Sequence, residues 1–309
     1  MDLSNDTATS EVLDDAVERF AAEVGAFDPV TVTGLGTRSG HSPSTPGVRS
    51  VTAPAGIGWI QPAEMTVRCG AATPVDALDA ALAERGQCVA LPAGGTVGGA
   101  LAVGRSGLKQ LGWGPVRDIL LQARYVSASG EVVKAGGPTV KNVSGFDVCR
   151  LLVGSLGTLG FLGDVILRTR PRAEHEQWYS TDRDPWAVLG DLYRPTAVLW
   201  DGATTWTLLE GDQDDADEQA ASAGLTPVTG PPELPAAHRW SLPARELVRL
   251  RDEEPGTFVA EIGVGIVHHT HPGPVEAADE AVLALTRRIK NEFDPTGRLN
   301  PGVSVIRTP

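Results

Sequence analysis

The residue types able to do chemistry sit in two kinds of place. One is a side-chain cluster, His268, His269 and His271, which follows Gly263-Val264-Gly265. Imidazoles this close could move a proton or hold a metal. Strand alternation puts His269 and His271 on one face and His268 on the other. A one-sided pair of histidines is an incomplete zinc site, so no metal is expected. The other kind is main chain. From Gly136 to Arg170 the sequence reads GGPTVKNVSGFDVCRLLVGSLGTLGFLGDVILRTR. Glycine this dense has two readings: backbone N–H groups closely approached by a large ligand, or a string of tight turns.

Two further stretches carry the same pattern. Pro29 to Thr33 is a β-branched run that feeds Gly34-Leu35-Gly36-Thr37-Arg38-Ser39-Gly40. A strand leading into a glycine turn with hydroxyls and one arginine can form a nest of N–H donors for a pyrophosphate, or a plain hairpin turn. Gly94-Gly95-Thr96-Val97-Gly98-Gly99 and Gly104-Arg105-Ser106-Gly107 follow later, read here as near-continuous turns.

The elements that must position these loops are legible in outline. Residues 1–9 are expected to be disordered, and Thr9-Ser10-Glu11 to cap a helix to Val24 with Val12, Val17, Phe20, Ala21 and Val24 on one face. Met65–Gly70 reads as a strand, Thr73-Pro74 as a helix start with Thr73 as cap, and Gln87–Pro92 as a strand. Arg117-Asp118 opens a strand over Ile119–Ser127, Val148–Val153 is a short helix, and Phe161–Thr169 a buried strand. Composition shifts at Pro171, which sets a domain boundary near residue 172.

Beyond it the pattern predicts a hairpin over 196–211 and an exposed acidic helix over Gln213–Ala223. It then predicts strands at Trp240–Pro243 and Thr257–Val267 and an amphipathic helix over Ala278–Lys290. The fold class is α+β: residues 1–172, then 173–309 as an antiparallel sheet with helices on one side.

A net charge of −13 argues against nucleic acid and disfavours an anionic membrane surface. The three cysteines, Cys69, Cys88 and Cys149, lie among apolar residues and read as buried thiols in a reducing compartment. They are too few for an iron–sulfur cluster. No apolar run nears the ~18 residues of a membrane span, and no signal peptide is seen, so a cytoplasmic location is expected.

Lys141-Asn142-Val143-Ser144-Gly145-Phe146-Asp147 followed by Gly154-Ser155-Leu156-Gly157-Thr158-Leu159-Gly160 resembles a signature of FAD-binding domains of the vanillyl-alcohol oxidase (PCMH) type. That signature is K-N-x-x-G-(Y/F)-D followed by G-S-x-G-T-L-G. Within that superfamily the sequence is most similar to the FAD-binding subunits of bacterial glycolate oxidases. The tail Lys290 to Gly302 is similar to the family's K-x-x-F-D-P-x-G-x-L-N-P-G, expected to fold back (280–309) towards the flavin domain. The resemblance implies a PCMH-type domain of two subdomains over 1–172 and a cap domain over 173–309.

It also implies noncovalent FAD held by Gly34, Leu35, Gly36, Thr37, Arg38, Ser39, Gly40, Thr96, Val97, Gly98, Gly99, Ser106 and Gly107. Arg117, Asp118, Lys141, Gly145, Asp147, Gly154, Ser155, Gly157, Thr158, Gly160, Phe161 and Leu162 complete the implied set. His41 would be the attachment point in a covalent member, and is otherwise a loop histidine.

Catalytic relatives carry H-x-G-D-G-N-x-H where this sequence has Glu261-Ile262-Gly263-Val264-Gly265-Ile266-Val267-His268, so His268 is the one candidate catalytic histidine. The resemblance implies oxidation of a 2-hydroxy acid such as glycolate or lactate, by hydride transfer to flavin. The expected partners are a second flavoprotein subunit and an iron–sulfur subunit. A non-catalytic FAD-carrying subunit and a stand-alone sugar, aldonolactone or lactate oxidase are the alternatives.

Overall fold

The computed structural model describes residues 3–37, 47–138, 147–274 and 279–304. Arg38, Ser39, Gly40, His41, Lys141 and Gly145 lie outside the described residues. The chain divides into two compact units: residues 1–107, 115–172 and 277–309, and residues 108–114 with 173–276. The fold is α+β.

In the first unit α1 (Leu3–Val24) buries Leu13, Val17, Phe20, Ala21 and Val24 at helical spacing. Two expectations change here. Helix begins at Leu3, within the stretch expected to be disordered, and Val12 faces solvent while Leu13 is buried. Thr9 lies inside the helix, and its hydroxyl donates to the Gly58 carbonyl at 2.7 Å instead of capping. A threonine within a helix can spend its hydroxyl on a neighbouring element, so the cap signal was satisfied elsewhere.

β1 (Val30–Val32) pairs in parallel with β2 (Arg49–Val51). Among the described residues a six-stranded antiparallel sheet follows. It runs in the order β3 (Ile57–Gln61), β4 (Thr66–Gly70), β8 (Phe161–Pro171), β6 (Leu120–Val126) and β7 (Val132–Gly136), with β5 (Gln87–Val89) beside the far end of β8. β8 is buried from Phe161 through Leu167, as a central strand must be. On it Asp164, 1 % exposed, accepts from both Arg68 and Arg124, so this buried carboxylate is paired twice.

α2 (Val75–Ala83) starts without the expected side-chain cap. Pro74 takes the cap position and the Thr73 hydroxyl bonds the Gly56 carbonyl at 3.1 Å. Residues 97–103, read as turns, form α3 (Val97–Val103), because Thr96 Oγ1 accepts from the Gly99 amide at 3.1 Å and starts a helix. α5 (Val148–Leu152) is capped by Asp147, and α8 (Glu280–Phe293) by Asp279.

In the second unit α4 (Gln110–Trp113) stands apart in sequence from the rest. Lys109 pairs with Glu176 and Glu210, and Trp113 Nε1 donates to Glu210 at 2.7 Å. A seven-stranded antiparallel sheet runs in the order β12 (Thr226–Val228), β9 (His175–Thr181), β11 (Thr205–Gly211), β10 (Ala197–Trp200), β14 (Phe258–Glu261), β15 (Ile266–His269) and β13 (His238–Ser241). The stretch Thr257–Val267, expected as one strand, is a hairpin. Gly263 and Gly265 take φ of 82° and 95° at its turn, a region that favours glycine.

α6 (Pro185–Asp191), α7 (Gln213–Ser222) and a 3-10 segment over Ala244–Asp252 pack against one sheet face, on Tyr179, Val198, Trp200, Leu209, Ala260 and Val267. By register the opposite face carries Glu261, His268 and Arg239.

Candidate functional site

The first unit contains a cleft of about 1150 Å³, its open mouth included. Three glycine-rich stretches meet there. The end of β1 turns through Gly34, Leu35, Gly36 and Thr37; α3 and its cap present Thr96, Gly98 and Gly99; the turn before β8 adds Ser155, Gly157 and Gly160, and the start of β8 adds Phe161 and Leu162. Sequence separates these stretches widely, and the sheet brings them to one place.

The walls are made by backbone, and glycine is what permits it. A Cβ on Gly98 would lie 2.8 Å from the Ala71 Cβ and 2.9 Å from its carbonyl oxygen. A Cβ on Gly34 would meet Thr96 Oγ1 at 3.0 Å. Both distances are too short for ordinary packing. Ala71, Ala72 and Ala102 continue the small-residue lining.

No charged side chain lines the cleft among the described residues. Its polarity comes from amides, hydroxyls and the Asn300 carboxamide. The Gly98 and Gly99 amides are used within the protein, on the Ala71 carbonyl and Thr96 Oγ1. Among the described residues the amides of Gly34, Leu35, Gly36 and Gly157 have no acceptor. A cleft lined by small residues and free main-chain donors fits a dinucleotide, whose phosphates accept hydrogen bonds and whose rings pack on small apolar residues.

The remaining residues implied by the resemblance lie outside this lining. Val97 is core. Ser106 Oγ accepts from the Val116 amide at 3.0 Å. Arg117 and Asp118 end a 3-10 turn rather than opening the strand, and Asp118 pairs with Arg150 at 3.0 Å. Asp147 caps α5. Gly154, at φ 81°, and Thr158, whose hydroxyl bonds the Ser155 carbonyl, shape the turn from behind. Gly107 sits near Pro92.

Other lining residues were not foreseen: Val32, Thr33, Ala53, Leu152, Leu156 and Asn300 among them. Leu156 and Asn300 are non-glycine residues at positive φ, 53° and 46°. Such outliers often mark functional turns, but an apolar or amide side chain gives no sign of it in sequence.

The second unit holds His268. Its Nε2 lies 3.0 Å from Glu261 Oε1. The other Glu261 oxygen is buried without a partner among the described residues. His269 is a packing residue: it stacks on Trp240 with ring centroids 4.0 Å apart, and burial pushes its pKa down despite Glu253 nearby. Among the described residues no three His, Cys, Asp or Glu side chains are grouped to hold a metal. Burial drives the thiols up, Cys69 to about 12 and Cys149 to about 11, so neither is a ready nucleophile. No helix among the described residues is long and apolar enough to cross a membrane.

Residues 15–136 match the FAD binding domain family, and residues 245–303 match the C-terminal domain of FAD linked oxidases. Glycolate oxidase subunit GlcE of Escherichia coli is 36% identical over 122 residues, 38% of this chain and 35% of that protein. Glycolate oxidase subunit GlcD of Bacillus subtilis is 38% identical over 79 residues, 26% of this chain and 17% of that protein. D-lactate dehydrogenase of Archaeoglobus fulgidus is 36% identical over 107 residues, 34% of this chain and 24% of that protein.

The matched segment thus spans about a third or less of these relatives' lengths. Among solved structures, an alkyldihydroxyacetonephosphate synthase aligns over 94% of this chain and 74% of its own with a TM-score of 0.63 at 14% identity, a likeness of fold.

Proposed function

We propose that the chain, which carries matches to the FAD binding domain and to the C-terminal domain of FAD linked oxidases, is a PCMH-type flavoprotein and the FAD-carrying subunit of a complex that oxidises a 2-hydroxy acid, glycolate or D-lactate, to the 2-oxo acid. The observation that carries the reading is the cleft in which free amides of Gly34–Gly36 and of Gly157 line the same space. These segments, with Thr96, Gly98, Ser155 and Gly160, would hold the cofactor without a covalent bond. When bound, FAD supplies the two-electron acceptor for the α-carbon hydride.

The protein must take the hydroxyl proton and hold the carboxylate. His268 is the candidate base. Glu261 holds its Nε2 edge, which leaves Nδ1 to accept a proton. Arg239 is the cross-strand neighbour of His268 and shares its sheet face, which makes it the candidate carboxylate anchor. Partners would be a second flavoprotein subunit and an iron–sulfur subunit, since this chain has three cysteines, all buried, and no cluster site of its own.

A second reading has a specific support. Glu261, Val264 and Ile266 stand where catalytic relatives carry His, Asp and Asn, which favours an accessory FAD-carrying role. Purified protein should release FAD on denaturation. The flavin should bleach anaerobically with glycolate or D-lactate once the partner subunits are present. Turnover by the isolated chain would remove the accessory reading; no bleaching in the assembled complex with any 2-hydroxy acid would remove the substrate class.

A further inference from the structure

The cleft is not closed by the glycine loops alone. Asn300 reaches it from the far end of the sequence and bonds both β1, which leads into the Gly34–Gly36 loop, and the turn that carries Gly157. Thr31 Oγ1 donates to Asn300 Oδ1 at 2.7 Å, one residue before Val32 enters the cleft wall. Asn300 Nδ2 donates to the Leu156 carbonyl at 2.6 Å, next to Gly157. The Asn300 amide donates to the Val30 carbonyl at 2.9 Å. Gly157 leaves the room this requires, since a Cβ there would lie 2.6 Å from Asn300 Nδ2. Asn300 adopts φ 46°, and asparagine is among the few side-chain-bearing residues that adopt this region readily.

We propose that Asn300 is a positioning residue for the dinucleotide. Its carboxamide fixes the spacing between the β1 loop and the Leu156–Gly157 turn, so that amides from both reach one anionic ligand. The two ends of the carboxamide divide the work, the oxygen holding β1 and the nitrogen holding the turn. A chain that loses this side chain keeps both loops but no longer sets their separation. The proposal rests on the reading of the cleft as the FAD site.

The test uses the full chain, stripped of flavin and titrated with FAD. Flavin fluorescence reads affinity, and visible circular dichroism reads how the bound ring is held. Asn300→Gly removes the carboxamide while glycine accepts the same φ, so the turn itself is not strained. Its expected affinity is about tenfold weaker, the weight of one or two ordinary hydrogen bonds, with an altered dichroism band. Thr31→Val, which leaves every tail contact of the backbone in place, is expected to shift both readouts the same way by less.

Wild-type affinity and dichroism in both variants would overturn the proposal and leave Asn300 a fastener of the tail. If Asn300→Gly melts early without flavin, Thr31→Val decides: weaker binding supports positioning, and unchanged binding overturns it. Wild-type protein that takes up no FAD would instead end the reading of the cleft itself.

Discussion

The Lys290 ammonium donates to the main-chain oxygen of Thr158 at 2.7 Å, across 132 residues of sequence. The same nitrogen lies 2.6 Å from Asp294 Oδ2. Asp294 is 1 % exposed, and its carboxylate accepts the amides of Arg298 at 3.1 Å and Leu299 at 2.8 Å. The last turn of α8 is thereby fastened to the turn before β8, behind the cleft. The spacing of Lys290 and Asp294 in the tail follows from this fastening.

Lys290→Met should lower stability by about 2 kcal/mol, because it leaves a buried carboxylate with amides but no cation; the partly exposed ammonium keeps the figure below that of a fully buried pair. Urea unfolding of the flavin-free protein measures it. A midpoint equal to wild type would show the fastening to be ornamental.

Stability should fall in acid through Asp294. Burial pushes this carboxyl up, but Lys290 and the Leu299 and Arg298 amides outweigh burial and hold it below its reference value of 3.8. A group depressed on folding contributes its full stabilisation above the unfolded value and loses it as pH drops through the lower, folded one. Melting temperature followed from pH 6 downward, about 3 units, should drop more steeply for wild type than for Asp294→Asn. Parallel curves would assign the acid sensitivity elsewhere.

Gly98→Ala should weaken FAD binding and destabilise the first unit by about 1–3 kcal/mol, since the added methyl meets the Ala71 carbonyl and Cβ in a packed wall. Gly190→Ala, where a Cβ meets nothing within 4 Å, is the control. Flavin content after purification together with a thermal melt distinguishes the two.

His268→Gln should keep its full complement of FAD and slow reduction of the flavin by a 2-hydroxy acid about 100-fold or more in the assembled complex. Glu261→Gln should show a smaller loss of the same kind, because it disturbs the 3.0 Å contact rather than the base. Stopped-flow bleaching under anaerobic conditions reads both. Reduction at the wild-type rate in His268→Gln would favour the accessory role.

Much of the cleft lining was legible because glycine is a constraint that sequence displays. Gly34, Gly36, Gly98, Gly157 and Gly160 all line the cleft, each placed by a turn or a close approach. The two sheets were legible in part: the hairpin of β10 and β11 follows from alternation around Asp201-Gly202, with register Trp200 to Thr205. Edge elements such as β12, three residues long, carry too little pattern to be seen.

α3 was missed because four glycines and a valine around its start look like turns, while the deciding fact, Thr96 as cap, depends on its extended φ and ψ of −107° and 155°. Ala71, Leu156 and Asn300 escaped for a different reason. Nothing in an alanine, a leucine or an asparagine announces which ligand its main chain will face. Position in the cleft is a property of the sheet order that brings 71, 156 and 300 together.

β1 has a second neighbour besides β2: Val30 bridges in parallel to Leu299, donates to the Arg298 carbonyl and accepts from Asn300. A ribosome making this chain therefore releases the first loop of the cleft long before the segment that props it exists. The nascent N-terminal half has a cradle with one side unbuilt, and must wait through all of the second unit before it can close. Completion of the cleft wall is therefore a late event in the life of each molecule.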